Sequence, residues 1–344
     1  MSVITIVGSG MMGSAMSFPA RANGHEVRLV GTHLDREIIS QAEQTGWHIT
    51  LKRWLPAGIK YYQIERLEEA LSGADLLIGG VSSMGVDWFS QQVIPKVPAS
   101  LPILSVTKGM IHTEKGEFIS YPEFYARQHA QSGIQFCAIG GPCTSYELAD
   151  LDQTQVCFCG PDMALLRRLK ALLNTDYYHV SLSTDIRGVE CAVALKNAYA
   201  LGVTLAVGLS EKLDGRLHYN SQAGLFGQSV REMRKILALF GGQDVNIYLG
   251  AGDLYVTVFG GRTRMIGTLL GKGYQIDEAK KELAGVTLES LVIAGRTADA
   301  VRGAIRDGRA DEEDYPLLMY IDRLLKGESG KGIPWEKFET EMGE

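Results

Sequence analysis

The sequence predicts an α/β domain with a mostly parallel sheet, followed by an all-α domain, and three observations carry that prediction. Short apolar, β-branched runs alternate with helix-like text as far as residue 185. A glycine loop follows the first of those runs at once. Beyond residue 185, strand-like text almost stops and periodic apolar faces take over. At roughly 100–200 residues per domain, 344 residues suit two domains, divided as 1–185 and 186–344.

In chain order, VITIVG (3–8) is the first strand. SGMMGSAMSFPARANGH is then a turn and a helix, and EVRLVG (26–31) is a second strand. ADLLIGGV (74–81), LPILSVTKG (101–109), IQFCAIGGP (134–142), TQVCFCG (154–160) and YYHVSLS (177–183) follow, mostly with helical or loop text between them. Continuous apolar strands between helices belong to a parallel sheet covered on both faces. Asp185 is the expected N-cap of the first helix of the second domain, IRGVECAVALKNAYALGVTLAVGL. Further helices are expected at 221–241, 264–273, 276–284, 287–308 and 315–327. The polar text from residue 327 to the end reads as loosely held.

Composition excludes several classes. With 45% hydrophobic and 22% charged residues the chain is an ordinary globular one. A net charge of -6 offers nothing to a nucleic acid or an acidic membrane. Five cysteines, an odd number in apolar text, read as reduced and buried thiols. Cys157 and Cys159 lack metal or redox spacing, so no metal is expected. No basic and apolar leader opens the sequence, and no uninterrupted apolar run reaches the roughly 18 residues of a membrane span. A cytoplasmic protein is expected.

TIVGSGMMGSAM sets Gly8, Gly10 and Gly13 in Gly-x-Gly-x-x-Gly spacing, between a strand and a helix. In that context the motif is a Rossmann-type dinucleotide loop. Gly8 makes the turn, Gly10 admits a pyrophosphate, and Gly13 lets helix and sheet pack. Ser9, Met11 and Met12 complete the expected cofactor loop. An NAD site places an acid about 20 residues further on to hold the ribose hydroxyls. Here the second strand ends in Gly31, Thr32 and His33, and the nearest acid, Asp35, comes late. Thr32, His33 and Arg36 could take a 2′-phosphate instead, so NAD or NADP is expected, with NADP slightly favoured. The bland alternative is a glycine-rich turn without a ligand.

GVECAVALKNAYALG (188–202) poses a second question, because an apolar helix carries Lys196 and Asn197 at its centre. The plain explanation is a lysine that reaches the surface or pairs with a carboxylate such as Glu190. The functional one is an ammonium and an amide, about 100° apart on the helix, that recognise a hydroxyl or carbonyl. A second polar group lies in YLGAGDLYVTVFGGRTRMIG (248–267). There Asp253 follows Gly250 and Gly252 in a predicted tight turn, and Arg262 and Arg264 follow FGG. Two arginines near backbone amides suit an anion such as a phosphate.

These motifs together resemble the NAD(P)-dependent glycerol-3-phosphate dehydrogenases. The glycine loop is followed by GHEV, TKGM surrounds Lys108, and GGPCTSYELA spans 140–149. GVECAVALKNAYA, REM (231–233), GAGDL (250–254) and GGRTR (260–264) then follow in the family's order, so the resemblance covers about residues 1–325. It implies interconversion of sn-glycerol 3-phosphate and dihydroxyacetone phosphate by hydride transfer with NAD or NADP. It also implies that Lys196 is the catalytic lysine, that Lys108 contacts the substrate or its reacting oxygen, and that Asp253, Asn197 and Thr257 line the site. Arg262, with Thr263, would hold the phosphate. Val81, Lys108 and Arg262 would add cofactor contacts, and a homodimer is implied. The lysine would face a cleft between the two domains, with Lys108 lowering its pKa and Asp253 raising it.

The sequence departs from the family's pattern in places. Thr263 stands where the family has Asn, Ser82 and Ser83 follow Val81, and Gln228 and Ser229 replace Arg-Gly. The last pair reads as a changed substrate wall. Two alternatives follow: a related dehydrogenase acting on another polyol phosphate or a hydroxy acid, or a nucleotide sensor without turnover.

Overall fold

A computed structural model describes residues 1–113, 117–286, 288–328 and 332–339. The chain forms two compact units. The first comprises Met1–Lys108 and Ser120–Glu190, the second Gly109–Ile119 and Cys191–Glu344. The single cut after residue 185 read from the sequence therefore differs from the observed division. A hairpin from the first half joins the second unit, and the first turn of the long helix stays with the first. Part of the polar tail, 329–331 and 340–344, lies outside the described residues.

The first unit is an eight-stranded sheet with helices. In chain order its elements begin with β1 (Val3–Val7), α1 (Met11–Ala15), α2 (Ser17–Ala22), β2 (Glu26–Val30), α3 (Arg36–Thr45), β3 (Trp47–His48), β4 (Arg53–Trp54) and β5 (Ile59–Tyr62). They continue with α4 (Leu67–Leu71), β6 (Leu76–Gly79), α5 (Val86–Trp88) and β7 (Ile103–Ser105). The hairpin β8 (Met110–His112) and β9 (Phe118–Ser120) intervenes, and α6 (Tyr121–Gln128), β10 (Phe136–Gly140), α7 (Ser145–Ala149), β11 (Thr154–Cys159), α8 (Met163–Leu173) and β12 (Tyr178–Ser183) complete the unit. The strand order is β12-β11-β10-β7-β6-β1-β2-β5, parallel throughout except between β10 and β11.

Ile4, Ile6, Val27, Leu29, Leu76 and Ile78 are fully buried, as parallel strands covered on both faces require. Seven of these eight strands coincide with the apolar runs of the sequence; edge strand β5 (IKYY) and the hairpin β3–β4 do not. Helix α8 shows why periodicity is legible. Leu165, Leu166, Leu169 and Leu173 form its buried face, and the Asp162 carboxylate caps it by accepting from Ala164 and Leu165 amides. Ser120 and Glu123 form a capping box on α6, and Glu123 also pairs with Arg187.

The second unit is helical: α9 (Ile186–Leu213), α10 (Tyr219–Leu239), α11 (Ile247–Phe259), α12 (Gly261–Lys272), α13 (Ile276–Glu282), α14 (Glu289–Arg306) and α15 (Pro316–Leu325). The Asp185 side chain accepts from the Gly188 amide, so it caps α9 as expected. Helix α9 is 28 residues long and, by length and composition, could cross a membrane, but 83% of its apolar window is buried, which marks a core helix. Its neighbours come unusually close. A Cβ built on Gly250 of α11 would lie 2.4 Å from the Ala192 carbonyl oxygen, and one on Gly271 of α12 would lie 2.1 Å from that of Leu205. Glycine is the only residue that allows such contact between helix backbones.

A buried carboxylate ties three of these helices together. Glu232 of α10 is fully buried. One oxygen accepts from the Gln228 amide at 2.7 Å and the Leu317 N–H at 2.8 Å; the other accepts from the Tyr199 hydroxyl and the Leu318 N–H, both at 2.9 Å. Leu317 and Leu318 belong to the first turn of α15, where backbone amides have no partner within their own helix. Burial pushes the Glu232 carboxyl above its ordinary pKa, against the pull of these four donors. Gln228 is thus a partner of Glu232, and the Ser229 hydroxyl donates to the Leu225 carbonyl. Both side chains are thus engaged within the helical unit.

Two outcomes follow. Glu232→Ala leaves four buried donors unsatisfied and should cost about 3 kcal/mol or more in urea denaturation, at the upper end for one lost acceptor. For Glu123, burial raises the pKa, but the Arg187 guanidinium and the Ser120 donors outweigh it and hold the carboxyl below its ordinary value. A depressed carboxyl stabilises the fold above the unfolded-state pKa and loses that contribution as pH falls through the folded one. Stability should therefore drop on acidification below the ordinary carboxylate range, and Glu123→Gln should flatten that limb of the profile.

Candidate active site

In the first unit the candidate residues centre on the glycine loop between β1 and α1. Gly8 has φ +105°, a left-handed conformation suited to glycine, and a Cβ there would lie 2.7 Å from the Gly80 backbone. A Cβ on Gly13 would lie 2.0 Å from the Gly8 oxygen. Around Gly10 the opposite holds, since a Cβ there would meet nothing within 4 Å. The loop is therefore closed on its inner side and open at Gly10, the arrangement a pyrophosphate needs. Ser9 between them is fully buried.

The tip of β2 differs from the sequence expectation in one respect. Asp35 does not stand too late to matter. Its Oδ2 accepts from the Thr32 amide and hydroxyl, both at 2.8 Å, and from the Ser9 amide at 3.3 Å. The turn after β2 thus brings the acid back beneath the glycine loop. The His33 ring packs on Trp88, with centroids 5.4 Å apart, and Arg36 pairs with Glu65 at an exposed position. The Val81 carbonyl accepts from the Thr107 hydroxyl at 2.6 Å, and Lys108 Nζ donates to the Gly141 carbonyl at 2.6 Å. Sequence reasoning missed Gly80, whose closeness to Gly8 comes from a β1–β6 pairing that no local motif signals.

In the second unit the candidate residues lie on α9, α11 and α12. Lys196, whose side chain is 14% exposed, forms an ion pair with the fully buried Asp253. The helix contact at Ala192 and Gly250 sets this up, because Lys196 and Asp253 lie one turn further along their own helices. Asp253 is therefore in the middle of α11 and not in the tight turn expected from its two flanking glycines. Those glycines serve packing, at least at Gly250. Asn197, half-buried, is the next residue on α9. Thr257 is one turn beyond Asp253 and donates its hydroxyl to the Asp253 carbonyl at 2.7 Å. Arg262 and the buried Thr263 open α12. Arg262 stands 3.7 Å from Glu289 and is half exposed, while Arg264 donates to the Val258 carbonyl at 2.8 Å. Among the described residues no group of acids, histidines and cysteines could hold a metal.

Comparison with known proteins bears on both units. The model of the NAD-dependent glycerol-3-phosphate dehydrogenase N-terminus matches residues 3–166, and that of its C-terminus matches residues 185–331. The chain belongs to the NAD-dependent glycerol-3-phosphate dehydrogenase family. Among its relatives, the NADP(+)-dependent glycerol-3-phosphate dehydrogenase of Archaeoglobus fulgidus is 32% identical over 94% of this chain and 95% of that one. The glycerol-3-phosphate dehydrogenase [NAD(P)+] of Desulfotalea psychrophila is 30% identical over 81% of this chain and 82% of its own. In fold, the crystal structure of the Coxiella burnetii enzyme superposes with a TM-score of 0.79, at 23% identity, over 98% of this chain and 97% of that one.

Gly13→Ala places a methyl group on the Gly8 carbonyl and should abolish dinucleotide binding, read by fluorescence titration with NADPH. An alanine variant that folds and binds with unchanged affinity would show that the loop does not hold the cofactor.

Proposed function

We propose that this chain interconverts sn-glycerol 3-phosphate and dihydroxyacetone phosphate by hydride transfer with NAD or NADP, and that Lys196 carries the proton. The supporting observation is the buried Lys196–Asp253 pair, an ammonium in an apolar helix beside a carboxylate. When bound, the reduced nicotinamide supplies the hydride to the carbonyl carbon. Lys196 as ammonium hydrogen-bonds the carbonyl oxygen and gives it a proton as negative charge develops there; in the opposite direction its neutral amine takes the hydroxyl proton. Asp253 holds the ammonium in place. Asn197 and Thr257 offer an amide and a hydroxyl to the substrate, and Lys108 a second cation.

Arg262 holds the phosphate with Thr263, at the first turn of a 12-residue helix whose N–H groups favour an anion. Its exposed, long contact with Glu289 contributes little and can be exchanged for a phosphate. On the nucleotide side, Gly8–Gly13, Thr32, His33, Arg36 and Val81 hold the cofactor. The preference for NADP has two supports. Asp35 Oδ2 is engaged by Ser9 and Thr32, and the Archaeoglobus relative is named for NADP. A cytoplasmic homodimer belongs to the same proposal. Five free cysteines suit a reducing compartment, and sedimentation would test the dimer.

Lys196→Ala should lose about 10²–10⁴ in kcat for dihydroxyacetone phosphate reduction while nucleotide still binds. A kcat within about tenfold of wild type would remove Lys196 from the proton-transfer role, given the usual size of general-acid effects. Arg36→Ala should weaken NADPH more than NADH; equal losses would end the idea that Arg36 meets a 2′-phosphate.

A further inference from the structure

His48 is fully buried, on the short hairpin strand β3, yet it reaches the glycine loop. Its Nε2 lies 2.8 Å from the Ser9 carbonyl oxygen. Its Nδ1 accepts from the Leu51 amide at 3.0 Å, with the Thr50 hydroxyl 3.3 Å away. An amide can only donate, so Nδ1 carries no proton and Nε2 is the N–H donor to Ser9. Burial lowers the pKa of His48 and so favours the neutral ring, whose tautomer the Leu51 amide selects; Asp35 is the charged group that acts on it, in the opposite sense.

The Ser9 carbonyl and the Gly10 N–H belong to one planar trans peptide, so they point in opposite directions. Drawing the carbonyl inward turns the Gly10 N–H the opposite way, and a Cβ built on Gly10 would meet nothing within 4 Å, so the residue itself is not crowded. This N–H has no acceptor among the described residues. Two further bonds hold the same stretch. Asp35 accepts from the Ser9 amide at 3.3 Å, and the Ser14 hydroxyl donates to the Ser9 carbonyl at 3.2 Å.

We infer that His48 is a positioning residue for the dinucleotide, which fixes the Ser9–Gly10 peptide so that the Gly10 N–H faces the cofactor phosphates. This rests on the dinucleotide reading of the glycine loop. It assigns to a two-strand hairpin outside the motif a share of cofactor affinity and none of the chemistry.

Two substitutions separate the two bonds of the ring. His48→Asn keeps an acceptor near Nδ1 for Leu51 and loses the donor to Ser9. His48→Gln places an amide N–H near Nε2 and keeps that donor. Full-length wild type and both variants are compared by initial rates with dihydroxyacetone phosphate, by fluorescence titration with NADPH, and by thermal melting. His48→Asn should raise KM and Kd for NADPH roughly tenfold, the size of one lost hydrogen bond. Its kcat at saturating nucleotide should stay within about twofold, since only ground-state binding is touched. His48→Gln should restore most of the affinity. A role in stability alone would lower both melting temperatures without this split.

Wild-type nucleotide affinity in His48→Asn, or equal loss in both variants, overturns the inference. Wild type that binds NADPH without turnover overturns the reaction proposed above, and His48 is then judged on Kd. Wild type that binds neither NADPH nor NADH overturns both.

Discussion

An ammonium inside an apolar helix is tolerable only with a counter-charge in reach, and the second unit is arranged around that requirement. Lys196 sits on α9, which is apolar on nearly every side. Its partner must come from another helix and must approach closely. Gly250 permits that approach by bringing α11 against the Ala192 carbonyl, and Asp253 follows one turn later. With Gly271 and Leu205 in contact on another side of α9, the helix is gripped by backbone, and the lysine position is set by packing more than by its own flexible stem. A group that must deliver a proton to one oxygen benefits from such fixing.

Much of the architecture was legible in the sequence because it depends on local period. Buried parallel strands are continuous apolar runs, and amphipathic helices such as α8 repeat their leucines at three and four residues. What escaped was non-local. Asp253 read as a turn residue because glycines flank it, whereas Gly250 is small for the sake of a helix 58 residues earlier in the chain. Gln228 was legible only as a break in a family pattern, and its bond to Glu232 one turn away was not. Strand β5 is short and carries Lys60 outward at the sheet edge, so it has little apolar signal.

The nucleotide half repeats the lesson. The three glycines were readable as a motif, but the groups that orient their peptides were not. Asp35 comes from the turn after β2, and His48 from a hairpin of two-residue strands in which Trp47 pairs with Trp54. No spacing rule connects either to Ser9. A glycine-rich loop is flexible by composition, and its conformation here is supplied by side chains from elsewhere in the first unit.

The four-donor seat of Glu232 bears on how the second unit comes apart. The amides of Leu317 and Leu318 are bonded to a carboxylate of α10, which also holds Tyr199 of α9. Helix α15 thus cannot fray from its first turn while α9 and α10 remain folded, although it lies near the end of the chain. Peeling it away would strand a buried carboxylate. The last long helix is therefore a keystone in position: releasing it exposes the buried seat of Glu232 that α9 and α10 share.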